Sequence, residues 1–240
     1  MLEGLRGHVT GAVATWVQTS VAQRAHQLIQ DLVVEAFSLW TGEGLSRWND
    51  DEINCTVRMY DCCDRVIHGS PRKYALVSVQ YDGAQPTRAM RSGQADVSGS
   101  PRPDLTARFG SAEVRIEAKR LRLGNGLPRA YVVQGMVRFL DGRYRSTDGA
   151  PACMLGYVQA DEPADVVAAV NAVISSEPTF GPKQTLALVA QLRPEVAQHR
   201  SDHAPATQLT HFVLDMRAPG SPPAHRASTP KPTRRGSSAR

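Results

Sequence analysis

Three polar residues are spaced so that they could share one reaction site. In Pro103-Asp104-Leu105-Thr106-Ala107-Arg108-Phe109, the apolar Leu105, Ala107 and Phe109 alternate with Asp104, Thr106 and Arg108. In Val114-Arg115-Ile116-Glu117-Ala118-Lys119, the apolar set is Val114, Ile116 and Ala118. A strand's period of two sends each apolar set to the core and places Asp104 in the first segment, and Glu117 and Lys119 in the second, on the opposite face. Between the segments, Gly110-Ser111 is a Gly-X pair suited to a two-residue type II′ hairpin turn, giving a register in which paired residue numbers sum to 221. Asp104 then stands opposite Glu117. Two carboxylates a few ångströms apart offer oxygen ligands to a hard divalent cation, with Mg2+, which keeps several waters, the usual occupant and Mn2+ a substitute. The Lys119 ammonium faces the same volume, where it could orient a metal-bound water or neutralise charge developing on a phosphate. The competing reading is a solvated hairpin face with a cross-strand ion pair.

The elements that must position these residues are legible in outline. Apolar positions Val13, Val17, Val21, Leu28, Leu32 and Phe37 predict one or two helices from Val9 to Trp40, ended by Thr41-Gly42-Glu43-Gly44. A second helix starts at the Asn49-Asp50-Asp51 cap, with its acids in the first turn and Ile53, Val57, Tyr60 and Val66 expected inward. Strands are predicted at Tyr74–Tyr81, Asp104–Phe109, Glu113–Lys119, Cys153–Val158 and Leu209–Met216. Further helices are predicted from Pro128, with Val132, Val133, Met136, Val137 and Leu140 on one side, and from Pro163 to Ile174. This order implies an α/β fold, a central mixed sheet flanked by helices. Gly124-Asn125-Gly126 reads as a loop and not a phosphate-binding fingerprint.

The Asp104 and Glu117-Ala118-Lys119 spacing, with Pro103 before it, resembles the PD-(D/E)XK signature of restriction endonuclease-like nucleases. The surroundings extend the likeness: Lys119-Arg120-Leu121 leaving the strand, the run from Tyr131 to Tyr144, and Met154-Leu155-Gly156-Tyr157-Val158 are similar to a group of bacterial nucleases of that superfamily found in phage-defence loci. The resemblance covers roughly residues 45 to 216. It implies a restriction endonuclease-like domain over 45–216 behind an N-terminal helical segment, 1–44, and a Mg2+-dependent nuclease acting on DNA, with RNA also open as substrate. Asp104, Glu117 and the Ala118 carbonyl would bind metal, and Lys119 would act on the water. The superfamily often adds a helical Glu before the first strand, for which Glu52 is the first choice and Glu35 the second. Each also has a structural explanation, Glu52 as a first-turn dipole partner and Glu35 as an exposed helix residue. Gln134 and Arg138, four apart on the helix face opposite the apolar stripe, would border the site and orient water or hold a phosphate, unless that face is simply solvated. A homodimer or a larger defence complex is compatible with the likeness, as is a non-cleaving nucleic-acid-binding or assembly subunit.

Charge is distributed unevenly. The 240 residues carry 28 Lys and Arg against 23 Asp and Glu, a formal charge of +5, with 41% hydrophobic and 21% charged residues, which excludes a wholly disordered or fibrous chain. Six basic residues and no acid fall from Arg217 to Arg240 among prolines and serines, so 217–240 reads as a basic disordered tail. From Glu117 to Arg145 there are seven basic residues and two acids. Arg120, Arg122, Arg129, Arg138 and Arg143 are therefore the expected backbone-contacting residues for a nucleic acid. Cys55, Cys62 and Cys63 fall in one helix and, like Cys153, are expected to pack as small apolar residues and not to bind metal. No apolar run of about 18 residues and no signal-type N-terminus is present, which predicts a soluble cytoplasmic protein without a membrane partner. His199, His203 and His211 lack tetrahedral zinc spacing, so Ser201 and His203 are expected to be exposed or locally bonded.

Overall fold

The apolar residues divide between two faces of one sheet. A computed structural model describes residues 10–44, 51–82, 102–110, 112–144, 152–180, 184–203 and 207–217. The expected basic tail, but for Arg217, lies outside the described residues, as do Ser111 and Arg145. Seven strands, β1 (Val77–Tyr81), β2 (Leu105–Phe109), β3 (Ala112–Leu121), β4 (Ala152–Val158), β5 (Ala187–Arg193), β6 (Val196–His203) and β7 (Thr207–Asp215), form a single sheet in the order β1-β2-β3-β4-β7-β6-β5. The central β3, β4 and β7 run parallel, and antiparallel strands flank them at both edges, so the expected mixed sheet is what forms. All seven residues of β4, Ala-Cys-Met-Leu-Gly-Tyr-Val, are buried, as a central strand covered on both faces requires.

Helices α1 (Thr10–Gly42) and α2 (Glu52–Gly69) cover one face. Leu28, Ile29, Leu32, Phe37 and Trp40 of α1 join Leu105, Ala107, Val114, Ile116, Ala118, Leu155 and Tyr157 in one cluster, so α1 shares the sheet's core. Trp40 is fully buried, edge-on to Tyr157 at 6.3 Å between ring centroids. Asp51 caps α2 by accepting the Asn54 N–H at 2.8 Å. The rotation of α2 differs from expectation: Cys55, Met59, Cys62 and Cys63 face the core, while Ile53 is 65% and Val57 43% exposed. Cys55, Met59, Cys62 and Cys63 form their own i, i+4, i+7, i+8 stripe, in which the three thiols pack as small apolar side chains. All four cysteines are buried and none is in a disulfide, in line with the expected packing role.

The other face is covered by α3 and by α4 (Pro163–Ser176). α3 begins as a single turn, Leu127–Ala130, passes through a π-helical stretch, Tyr131–Met136, and returns to α geometry at Val137–Leu140. Alternation along β3 puts Ile116 and Ala118 under α1 and α2 and directs Glu117, Lys119 and Leu121 towards α3. Among the described residues no helix is long and apolar enough to cross a membrane.

Candidate active site

The hairpin register is the expected one. Leu105 pairs with Ile116, Ala107 with Val114 and Phe109 with Ala112, each pair summing to 221, and Gly110 has the positive φ, +57°, that a primed turn needs at its first central position. The strand pairing ends at Leu105, after Pro103, and β3 runs on to Leu121. Two outward amides of β3 beyond that point are satisfied by carboxylates. The Ala118 N–H donates to Asp104 Oδ2 at 2.7 Å and the Arg120 N–H to Glu52 Oε2 at 3.2 Å. The bare edge left by a short β2 therefore draws Asp104 and the first residue of α2 to the same stretch of β3.

Lys119 sits in the middle of these oxygens. Its Nζ is 2.8 Å from Glu52 Oε1, 2.8 Å from Glu117 Oε1, 2.8 Å from the Ala118 carbonyl oxygen and 3.9 Å from Asp104 Oδ2. Glu117 is wholly buried and Lys119 almost so, which explains why both must be paired. Burial works against the Lys119 charge, but the Glu117 and Asp104 carboxylates outweigh it and the ammonium pKa is raised. Asp104 is pushed up to about 6, by burial first and then by Glu117, against the pull of Lys119 and the Ala118 N–H.

On the α3 side, Arg138 Nη1 donates to Glu117 Oε1 at 2.5 Å and to the Tyr144 hydroxyl at 3.1 Å, while that hydroxyl donates to the Arg102 carbonyl at 2.8 Å. Both cations thus converge on one oxygen of Glu117. Its other oxygen, Oε2, is buried with no hydrogen-bond partner. Gly135 lets α3 approach: a Cβ there would lie 2.5 Å from the Met154 methyl and 3.5 Å from Lys119 Cγ. Glu52, the first choice for the helical Glu, is thus brought to Asp104, Glu117, Ala118 and Lys119, whereas Glu35 instead accepts from Lys73 at 2.7 Å. Gln134 is exposed and takes no part in the hydrogen bonding of the cluster. The π-helical stretch brings Gly135, and not Gln134, against Lys119.

The expected basic surface is partly neutralised. Arg129 pairs with Glu177 and Arg143 with Asp141, both at 2.7 Å, and Arg138 is committed to Glu117. Arg120 and Arg122 enter none of the ion pairs among the described residues, and the Arg120 Nε is buried without a partner. Ser201 and His203, expected to be exposed or to make local hydrogen bonds, do bond locally to each other but are buried. Ser201 Oγ lies 2.8 Å from both His203 Nε2 and His211 Nε2, and His211 Nδ1 lies 2.9 Å from the Tyr131 hydroxyl. Strand pairing brings Ser201 and His211 together from positions ten residues apart, a proximity that local spacing does not announce.

Tyr144 and Gly135 fall in the run that carries the resemblance, but the sequence reading gives neither a part in the site. Tyr144 carries no local signal for its contact with Arg138, since both its partners are set by the fold. Among the described residues no group of three or more His, Cys, Asp or Glu side chains is placed to hold a metal ion. The donor set is carboxylate and carbonyl oxygen, the chemistry of a hard cation that retains waters and needs few protein ligands. Compared with known proteins, the chain matches no family model, no curated protein and no solved structure.

Proposed function

We propose that the chain is a Mg2+-dependent nuclease with a restriction endonuclease-like core, hydrolysing phosphodiester bonds of nucleic acid, DNA in the first instance, in bacterial defence against phage. The observation that carries this reading is the buried, unpartnered Oε2 of Glu117, on a side chain whose other oxygen gathers with Asp104 and the Ala118 carbonyl around the Lys119 ammonium. A buried carboxylate oxygen with no donor is costly unless a cation completes it. Asp104, Glu117 Oε2 and the Ala118 carbonyl would hold Mg2+, which supplies Lewis-acid polarisation of a phosphoryl oxygen and an acidified water. Lys119 keeps its proton because its pKa is raised, so its part is to donate, orienting the attacking water or holding the phosphate oxygen that gains charge. Glu52 fixes the Lys119 ammonium from the α2 side. Arg120 and Arg122, outside the ion pairs formed by the other arginines, are the side chains best suited to the substrate backbone.

A non-cleaving assembly subunit is the second reading, favoured by the hydrogen bonds that Asp104 and Glu52 already make to β3 amides. Incubation of supercoiled plasmid with Mg2+ or Mn2+ separates the two. The nuclease reading expects nicking or linearisation by the wild type and none by Asp104→Ala or Lys119→Ala. Equal cleavage by all three would remove the assignment of the site.

A further inference from the structure

The two oxygens of Glu117 are treated differently by the chain, and Tyr144 is placed to cause the difference. Arginine facing a carboxylate tends to grip it with two parallel N–H bonds, one to each oxygen. Arg138 does not do so here: Nη1 alone reaches Glu117, and only Oε1. The same Nη1 also donates to the Tyr144 hydroxyl, and the guanidinium carbon lies 5.8 Å from the Tyr144 ring centroid. Tyr144 is itself fixed, with its hydroxyl on the Arg102 carbonyl and its ring edge-on to Phe139 at 5.3 Å, and it is 4% exposed. An arginine tied at one nitrogen to a fixed phenol cannot swing to straddle the carboxylate.

We propose that Tyr144 is a positioning residue which restrains Arg138 to Oε1 of Glu117 and so keeps Oε2 open to a divalent cation. The inference rests on the nuclease reading for the identity of that ligand. Tyr144 also lies close enough to the Glu117 carboxylate for that charge to raise its hydroxyl pKa, after burial, but the hydroxyl's hold on the orientation of Arg138 is what the variants below isolate. Hydrogen-bond partners that orient a metal ligand characteristically contribute tenfold to hundredfold in affinity.

The test is Mn2+ titration by calorimetry, at one pH and salt, of the wild type, Tyr144→Phe, Arg138→Lys and the double variant. Tyr144→Phe keeps the ring's edge-on contact with Phe139 but loses the hydroxyl, releasing Arg138 to fork across both oxygens, and is expected to weaken Mn2+ binding about tenfold. Arg138→Lys in the Tyr144→Phe background is expected to restore the wild-type Kd to within about threefold, because an ammonium is a point donor that cannot span a carboxylate. A purely structural loss would not be rescued in that way. Wild-type affinity in Tyr144→Phe, or failure of Arg138→Lys to restore it, overturns the inference and leaves the nuclease reading standing. Absence of Mn2+ binding by the wild type up to millimolar concentrations overturns both. Should Tyr144→Phe not fold, Arg138→Lys alone decides: affinity equal to or above the wild type supports the one-oxygen role, and a tenfold loss overturns it.

Discussion

At the scale of single residues, the cluster binds its charges at some cost to the fold. Asp104 has a pKa raised from 3.8 to about 6, so the folded chain holds a proton that the unfolded chain releases. The stabilisation from that proton is complete below about 3.8 and is lost as pH rises through about 6. Asp104→Asn, which still offers an oxygen to the Ala118 N–H, is therefore expected to be more stable than the wild type at pH 7.5, by roughly 2 kcal/mol, with the difference vanishing near pH 3.5. Urea titrations at the two values check this, and a variant less stable than the wild type at pH 7.5 would contradict the electrostatic account. The sequence revealed the Asp104, Glu117 and Lys119 grouping because side-chain parity and turn position agreed. Tyr144 and the unpartnered Glu117 oxygen stayed hidden because they depend on how α3 lies over β3, and no periodicity in the chain encodes that.

At the scale of elements, the sheet edge formed by β5 and β6 was the part least readable in advance. Val196–His203 reads Val-Ala-Gln-His-Arg-Ser-Asp-His, without the alternation of apolar residues by which a strand is recognised, yet Gln198, His199, Ser201 and His203 are buried. Hydrogen bonds running from His203 through Ser201 and His211 to Tyr131 make polar side chains acceptable in that layer. The π-helical stretch was equally illegible, since helix reading assumes 3.6 residues per turn. Burial lowers the pKa of His199, His203 and His211, the last to about 3, with its two histidine neighbours adding to the effect. These histidines are neutral in the fold and take up protons near pH 6.5 when unfolded. The stability they confer is present above that pH and drains as pH falls through the folded values, by up to about 1.4 kcal/mol per unit for each group. Asp104 opposes this trend between 3.8 and 6, so the measurement belongs in Asp104→Asn. Its unfolding free energy is expected to fall by at least about 1 kcal/mol from pH 7.5 to 5.5, and a flat profile would contradict a neutral buried chain. Ser201→Ala, which strips two histidine nitrogens of their partner, is expected to lose about 1–3 kcal/mol in the same assay.

At the scale of the whole molecule, the predicted alternation of strands and helices is realised as one seven-stranded mixed sheet between two helical layers, and the N-terminal helix is part of its core. Trp40→Ala is accordingly expected to cost about 3–5 kcal/mol and to lower a single unfolding transition. A separate early transition, with the rest unchanged, would instead mark α1 as an independent unit. The formal +5 also changes meaning at this scale: Arg129, Arg138 and Arg143 are answered by carboxylates, so any grip on nucleic acid from this region falls chiefly to Arg120 and Arg122. The central claim is that Glu117 completes a cation site for phosphodiester hydrolysis. Glu117→Gln tests it most directly, because the shape is kept while the charge is removed. With plasmid DNA and Mg2+, the account predicts that this variant remains folded and loses at least about 100-fold in cleavage rate relative to the wild type. Cleavage by folded Glu117→Gln at the wild-type rate would contradict it.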